Sequence, residues 1–288
     1  MFIAKNIAEV RKQTAQWRKQ GQSIALVPTM GALHEGHLSL VTRALNIADK
    51  VAVSIFVNPM QFDQAEDLQN YPSNEAQDLA MLERYKVGLA FVPTAQEMHN
   101  ADPLTGVHLL AGRLAEDLCG KFRPQHFDGV ATIVAKLLNI FQPDIILLGQ
   151  KDYQQLCIVR ELVNNLSFNV EVVSVETVRT ADGLALSSRN AYLSEDERKR
   201  AAVLYRSLKR IANSIEEGAN NFAYLKNQAY KSMKAAGLHP EYIEIRCAHS
   251  LKPLHRIQFP LVILTAVRLG KARLIDNIIC TNKPTNNR

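Results

Sequence analysis

Residues 1–176 predict an α/β domain built on a doubly wound parallel sheet, and residues 177–288 a smaller C-terminal α+β domain. Three observations carry this reading. Up to Val175, apolar runs with the length of buried strands alternate with segments of helical spacing. From about residue 177 the order changes to two long helical segments followed by alternating strands. The charge divides at the same place. Residues 1–176 hold 15 Lys and Arg against 19 Asp and Glu, a balance of −4, and residues 177–288 hold 19 against 9, a balance of +10.

Taken in order, Ile7 to Gln20 is amphipathic, with Ile7, Val10 and Trp17 on the inward face and Gly21 closing the helix. Ile24 to Val27 is a short buried strand. Pro28, Thr29 and Gly31 break it, and from Leu33 the spacing of Leu33, His37, Leu40, Val41 and Ala44 is helical. Lys50 to Val57 is a second buried strand that stops at Asn58-Pro59. Glu75 to Tyr85 reads as a helix with Leu79 and Leu82 inward; Asp78 is expected to face solvent, with a metal ligand as the alternative. Strands are expected at Leu89–Pro93, Asp144–Gly149 and Val170–Val175, and helices at Val130–Phe141 and Tyr153–Asn165.

In the second domain Ser194 caps a helix running to about Glu217, with Glu197 completing a capping box. A helix at Phe222–Ala236, strands at Tyr242–Ala248 and Leu261–Val267, and a hairpin through Gly270 to Leu274–Ile278 follow. The tail from Thr281 to Arg288 is expected to fray.

Composition narrows the class. The chain has 288 residues, 47% hydrophobic and 22% charged, as in a soluble globular protein. No apolar run approaches the roughly 18–20 residues that span a bilayer. The opening M-F-I-A-K-N-I-A-E-V-R carries charges where a signal peptide needs its apolar region, so cytoplasmic residence without membrane attachment is expected. Cys119, Cys157, Cys247 and Cys280 are scattered with no C-x-x-C pair, which favours buried free thiols over a disulfide framework or a zinc site. The basic second half suggests an anionic partner, a polyphosphate or nucleic acid, unless it is merely a solvated surface. Its aromatic and basic residues are not interleaved as stacking platforms require, so nucleic acid is not expected.

The chemistry concentrates in turns that follow strands, where open parallel sheets bind ligands. In L-V-P-T-M-G-A-L-H-E-G-H-L, from Leu26 to Leu38, a strand, a glycine turn and a helix start present backbone N–H groups and a positive helix end to an anion. His34 and His37 lie three apart, so that, if the helix has begun by His34, both project from one side of its first turn, where two imidazoles can donate to phosphate oxygens; a cap or a packed residue is the alternative. At the next strand end, Gln61 offers a donor and an acceptor for a hydroxyl or a carboxylate; a plain loop glutamine is the alternative. In L-G-Q-K-D-Y-Q-Q-L, Gly149 permits close backbone approach and Lys151 supplies a compact positive charge. Asp152 can hold that lysine or a magnesium-bound water, or simply cap the next helix. Ser187, Ser188 and Arg189 offer two hydroxyls and a guanidinium fork suited to a triphosphate, against the alternative of a plain turn. The chain has no G-x-G-x-x-G fingerprint and no Walker A loop.

The H-x-G-H pattern resembles the signature of the nucleotidylyltransferase-like superfamily, which implies a Rossmann-like fold and adenylyl transfer from ATP. Five linked stretches narrow this further. P-T-M-G-A-L-H-E-G-H, F-V-N-P-M-Q-F, R-P-x-H-F-x-G-V with T-I-V-A-K, G-Q-K-D-x-Q-Q and D-G-L-A-L-S-S-R-N-x-Y-L resemble the pantoate–β-alanine ligase (pantothenate synthetase) family, in this order and spacing. The likeness covers nearly all of the chain to about residue 195 and continues more loosely beyond.

The resemblance implies ATP-dependent condensation of (R)-pantoate with β-alanine to pantothenate, AMP and pyrophosphate through a pantoyl adenylate. It implies Mg2+ carried mainly on the ATP phosphates, and a homodimer. It places ATP on Met30, Gly31, Ala32, Leu33, His34, Glu35, Gly36 and His37, with His37 as proton donor and His34 beside it. Gly149, Gln150, Lys151, Asp152, Val178, Leu186, Ser187, Ser188 and Arg189 complete the ATP site. Gln61 and Gln155 hold pantoate, and Gln61 also adjoins β-alanine. The basic C-terminal domain is then a natural lid over the triphosphate. A different adenylyltransferase with a phosphorylated acceptor would need further cations, whereas the acceptor positions here carry amides. Two residues depart from the family pattern: Gln150 stands where glutamate is frequent, and Gln125 where R-P-G-H-F has glycine.

Overall fold

Alternating apolar runs become a six-stranded parallel sheet in the computed structural model, which describes residues 1–62, 68–99 and 106–281. In chain order the first unit comprises β1 (Phe2–Ala4), α1 (Ile7–Lys19), β2 (Ile24–Thr29), α2 (Glu35–Leu45), β3 (Lys50–Ile55), α3 (Glu75–Arg84), β4 (Leu89–Phe91) and α4 (Ala95–His99). It continues through α5 (Cys119–Phe122), α6 (His126–Phe141), β5 (Ile145–Gly149), α7 (Tyr153–Asn165, all but its first residue) and β6 (Glu171–Val175). The strands lie in the order β1-β4-β3-β2-β5-β6, every pairing parallel. Strand β1 was not expected; only three residues long, it closes the edge beside β4.

This order fixes where a ligand can sit. From β2 the chain winds one way through β3 to β4 and later the other way through β5 to β6, so the winding reverses between β2 and β5. Loops at the carboxyl ends of β2 and β5 leave in opposite directions there and open a crevice. Ala25, Val27, Val51, Val53 and Leu147 meet Leu40, Val41 and Ala44 of α2 on one face, while Ile24 and Leu26 point the other way and are equally buried. Helix α6 packs against β2 as well. Strands covered on both faces must be apolar throughout, which explains the runs in the sequence.

The second unit comprises residues 151–153 together with 177 onwards. It contains α8 (Glu195–Ala201), α9 (Val203–Glu216), α10 (Phe222–Ala235) and a three-stranded antiparallel sheet of β7 (His239–Cys247), β8 (Leu261–Leu269) and β9 (Ala272–Cys280). Its core joins Leu204, Leu208, Ile211 and Ile215 of α9 to Ile263, Val267 and Leu274 of the sheet. The capping box at Ser194 forms as the sequence predicts: Glu197 N–H donates to Ser194 Oγ at 3.2 Å, and Ser194 N–H to Glu197 Oε2 at 2.9 Å. The single helix expected from there is two, separated at Ala202. The tail expected to fray lies, from residue 282 on, outside the described residues. No helix among the described residues is long and apolar enough to cross a membrane.

Candidate active site

The turn after β2 is built by backbone geometry before any ligand is considered. Thr29 Oγ1 donates to the Ser54 carbonyl at 2.8 Å and accepts the Gly31 N–H at 3.3 Å, binding the turn to β3. Gly31 and Ala32 then take positive φ values of 80° and 48°. A side chain at Gly31 would bring its Cβ to 2.9 Å from Asp78 Oδ2, so glycine is required both for the dihedral and for the space.

Asp78 corrects an expectation. It does not face solvent; it is 2% exposed in the first turn of α3. Its carboxylate accepts the N–H groups of Ala32 at 2.9 Å and Leu33 at 2.8 Å. Burial raises its pKa even against these two donors. With both oxygens turned to the loop backbone, Asp78 anchors the turn.

Helix α2 starts at Glu35, because His34 takes extended dihedrals (φ −142°, ψ 174°) as its N-cap. His34 Nδ1 accepts the Gly36 N–H at 3.1 Å, and His37 Nδ1 accepts the His34 N–H at 3.4 Å. The two rings lie 4.1 Å apart between centroids, tilted by 34°. A nitrogen that accepts from a backbone N–H carries no proton, so each neutral ring bears its proton on Nε2. The capping box thereby turns both imidazoles into Nε2–H donors at the positive end of α2.

At the end of β3, Gln61 is 7% exposed and held from several sides. Its carbonyl accepts His126 Nδ1–H at 2.7 Å and Arg123 Nη2 at 3.1 Å. Its side-chain Oε1 accepts Asn58 Nδ2 at 3.3 Å, and its Nε2 lies 2.8 Å from Met30 Sδ. Asn58 Nδ2 also donates to the Gly129 carbonyl at 3.1 Å, while Asn58 Oδ1 accepts from Met60 N–H at 3.4 Å and lies 3.0 Å from His99 Nε2. The Gly129 carbonyl can only accept and the Met60 N–H only donate, so the Asn58 amide has one orientation. Gln61 must then turn Oε1 to Asn58, and His99 must carry its proton on Nε2. Burial, and secondarily the Lys136 charge, lowers the His99 pKa.

Arg123, His126 and Gly129 are the R, H and G of R-P-x-H-F-x-G-V, so that motif builds the seat of Gln61. Gln125, the departure from the family pattern, takes φ 64° and ψ −8°. It keeps the left-handed turn that glycine would adopt, with Arg123 and His126 both reaching the Gln61 carbonyl. Gly129 is constrained by proximity: a Cβ there would fall 2.6 Å from the Met60 carbonyl group.

The remaining candidates of the first unit sit at the end of β5. A Cβ on Gly149 would meet nothing within 4 Å. Gln150 Nε2 reaches Ser174 Oγ at 3.5 Å. Gln155 is half-buried on α7, whereas its neighbour Gln154 is a structural residue, accepting the Cys119 N–H and donating to the Leu114 and Asp117 carbonyls.

In the second unit Lys151 Nζ lies 3.8 Å from Asp152 Oδ2, the lysine side chain 18% exposed and the aspartate 50%. Val178 and Leu186 face each other in a narrow hairpin closed by Leu186 N–H to the Val178 carbonyl at 2.9 Å. Ser187 caps the turn Ser188–Tyr192 by accepting the Arg189 N–H at 3.3 Å, and this turn packs against β9. Among the described residues no cluster of three His, Cys, Asp or Glu side chains forms a metal site.

A parallel sheet whose winding reverses beside a helix start of this kind is the arrangement of a nucleotide-binding protein. The family model for pantoate–β-alanine ligase matches residues 2–279. Pantothenate synthetase from Pseudomonas fluorescens is 46% identical over 96% of this chain and 97% of its own length, and that from Azotobacter vinelandii 47% identical over 96% and 98%. The crystal structure of the Thermus thermophilus synthetase superposes with a TM-score of 0.91 at 40% identity, covering 96% of this chain and 99% of that one. The Francisella tularensis ligase, solved with β,γ-ATP and β-alanine, gives a TM-score of 0.82 at 35% identity, covering 97% of each chain. This chain belongs to the pantoate–β-alanine ligase family.

Proposed function

We propose that the chain joins (R)-pantoate to β-alanine in two steps, consuming ATP and releasing AMP and pyrophosphate. The observation that carries this is the pair of imidazoles at the start of α2, each with Nδ1 turned to a backbone N–H, beside the winding reversal, in a chain of this family. In the first step a pantoate carboxylate oxygen attacks the α-phosphorus of ATP. The bond from that phosphorus to the bridging oxygen breaks, and pyrophosphate departs with its electron pair. In the second, the neutral amine of β-alanine attacks the acyl carbon. The C–O bond to AMP breaks and the amine gives up a proton.

The protein supplies positioning and charge neutralisation rather than covalent chemistry. His34 and His37 donate to the α-phosphate, with His37 as the proton donor. Met30 to His37, Gly149 to Asp152, Val178 and Leu186 to Arg189 bind the nucleotide. Gln61 and Gln155 orient pantoate, and Gln61 adjoins β-alanine. Mg2+ would enter as part of the co-substrate, bound through the phosphates, and the half-exposed Asp152 carboxylate would be the side chain to hold one of its waters. Residence in the cytoplasm and a homodimer belong to the same proposal; light scattering tests the latter.

Incubation with ATP, Mg2+, pantoate and β-alanine should yield AMP, pyrophosphate and pantothenate. Formation of ADP, or turnover with a phosphorylated acceptor but not pantoate, would overturn the reading.

A further inference from the structure

Lys151 follows β5 in sequence, yet residues 151–153 group with the second unit. Two bonds tie this segment there: Tyr153 Oη donates to the Ala248 carbonyl at 3.0 Å, and the bond that reaches Lys151 itself comes from β9. Asn277, 5% exposed, donates from Nδ2 to the Lys151 carbonyl at 2.9 Å across 126 positions of sequence. Its own carbonyl accepts Arg179 Nη2 at 3.2 Å. The neighbouring Asp276 is buried and takes both arms of the Arg179 fork, at 2.7 and 2.8 Å. Arg179 Nη1 also donates to the Gly183 carbonyl at 3.1 Å, and its guanidinium lies 3.9 Å over the Tyr205 ring. Arg179 stands on the hairpin that leads into Ser187, and the Ser188–Tyr192 turn rests on β9. One strand therefore holds both parts of the cationic set in the second unit.

Two adjacent buried polar residues are costly in a strand whose other core positions are apolar. A buried carboxylate is retained only when paired, and a buried amide only when its bonds are made. Burial pushes the Asp276 pKa up, while Arg179, then the Asn277 backbone N–H, and last the nearby Lys151 charge draw it down. Stability alone would be served as well by an apolar pair.

We propose that Asn277, backed by Arg179 and Asp276, is the positioning residue for Lys151, holding it in register with Ser187–Arg189 so that the phosphates of ATP meet a preset array of donors. This rests on the proposed function for the identity of the nucleotide.

The test is a double-mutant cycle on the full chain: wild type, Lys151→Ala, Asn277→Ala and the double variant, followed by single-turnover formation of AMP. Asn277→Ala should slow adenylation about 10²-fold, the cost of an ångström-scale misplacement. Pantoate affinity should stay unchanged. In the Lys151→Ala background the same change should add less than about threefold, because Asn277 acts through Lys151. Losses that multiply, or an Asn277→Ala enzyme with the wild-type rate, would overturn the proposal. Should Asn277→Ala lack a cooperative melting transition, Asn277→Thr, which suits a strand but is too short to reach the carbonyl, must show the same non-additivity. ATP titration calorimetry on the four proteins separates this from the functional reading. Non-additive ATP binding without AMP formation would keep the inference and sink the adenylation. Additive binding with normal AMP formation would do the reverse.

Discussion

Asp78 and Leu33 meet through a 2.8 Å bond from a backbone N–H to a buried carboxylate, and with the Ala32 bond at 2.9 Å this holds the turn that carries both histidines. An asparagine in its place offers one acceptor and one donor, so one loop N–H loses its partner. Asp78→Asn should cost about 2–3 kcal/mol in chemical denaturation, the value of hydrogen bonds to a charged group. It should also raise the KM for ATP, because His34 and His37 depend on the turn. Unchanged stability would remove the anchor role.

Gly129 and Gly149 should respond oppositely to alanine. At Gly129 the new methyl meets the backbone of Met60, which cannot swing aside. Gly129→Ala should therefore lose about 1–3 kcal/mol in thermal unfolding and displace Gln61. At Gly149 the methyl enters open space. Gly149→Ala should melt with the wild type but bind ATP more weakly, and full ATP affinity would take Gly149 out of the nucleotide site.

His99 orients Asn58, and through it Gln61. A glutamine places an amide nitrogen where Nε2 lies, whereas leucine leaves a buried acceptor short of a partner. His99→Leu should raise the KM for pantoate about tenfold, near the worth of one hydrogen bond, and His99→Gln should restore most of it. Equal loss in both variants would contradict the relay.

Thiol reactivity tests the cysteine environments. Cys119, Cys157 and Cys280 are buried, and burial pushes the Cys280 thiol up to about 11. Cys247 is half-buried, and its pKa is lowered chiefly by a hydrogen bond from Ser250. A lower pKa means more thiolate at pH 8. Iodoacetamide should label Cys247 alone in the folded protein and all four after denaturation; mass spectrometry reads the difference.

Much of this was legible in the residues themselves. The parallel sheet follows from runs such as Val51-Ala52-Val53, apolar because helices cover both faces, and the H-x-G-H turn announces itself locally. What escaped depends on contacts distant in sequence. Asp78 has the spacing of a solvent-facing residue, and only the loop from β2, 45 positions away, makes it a buried anchor. Asn58 and His99 are 41 positions apart, and neither pattern nor charge links them. Helix α2 starts two residues later than its apolar spacing suggests, because His34 is extended and serves as the N-cap. Lys151 follows β5 in sequence, while the amide that holds it stands on β9.

The central claim is that a pantoate carboxylate attacks the α-phosphate held at His34 and His37. Pantoate labelled with 18O in its carboxylate tests it directly, with AMP and pyrophosphate analysed by mass spectrometry after turnover. One label should appear in each AMP and none in pyrophosphate. Unlabelled AMP, or label in pyrophosphate, would contradict the account.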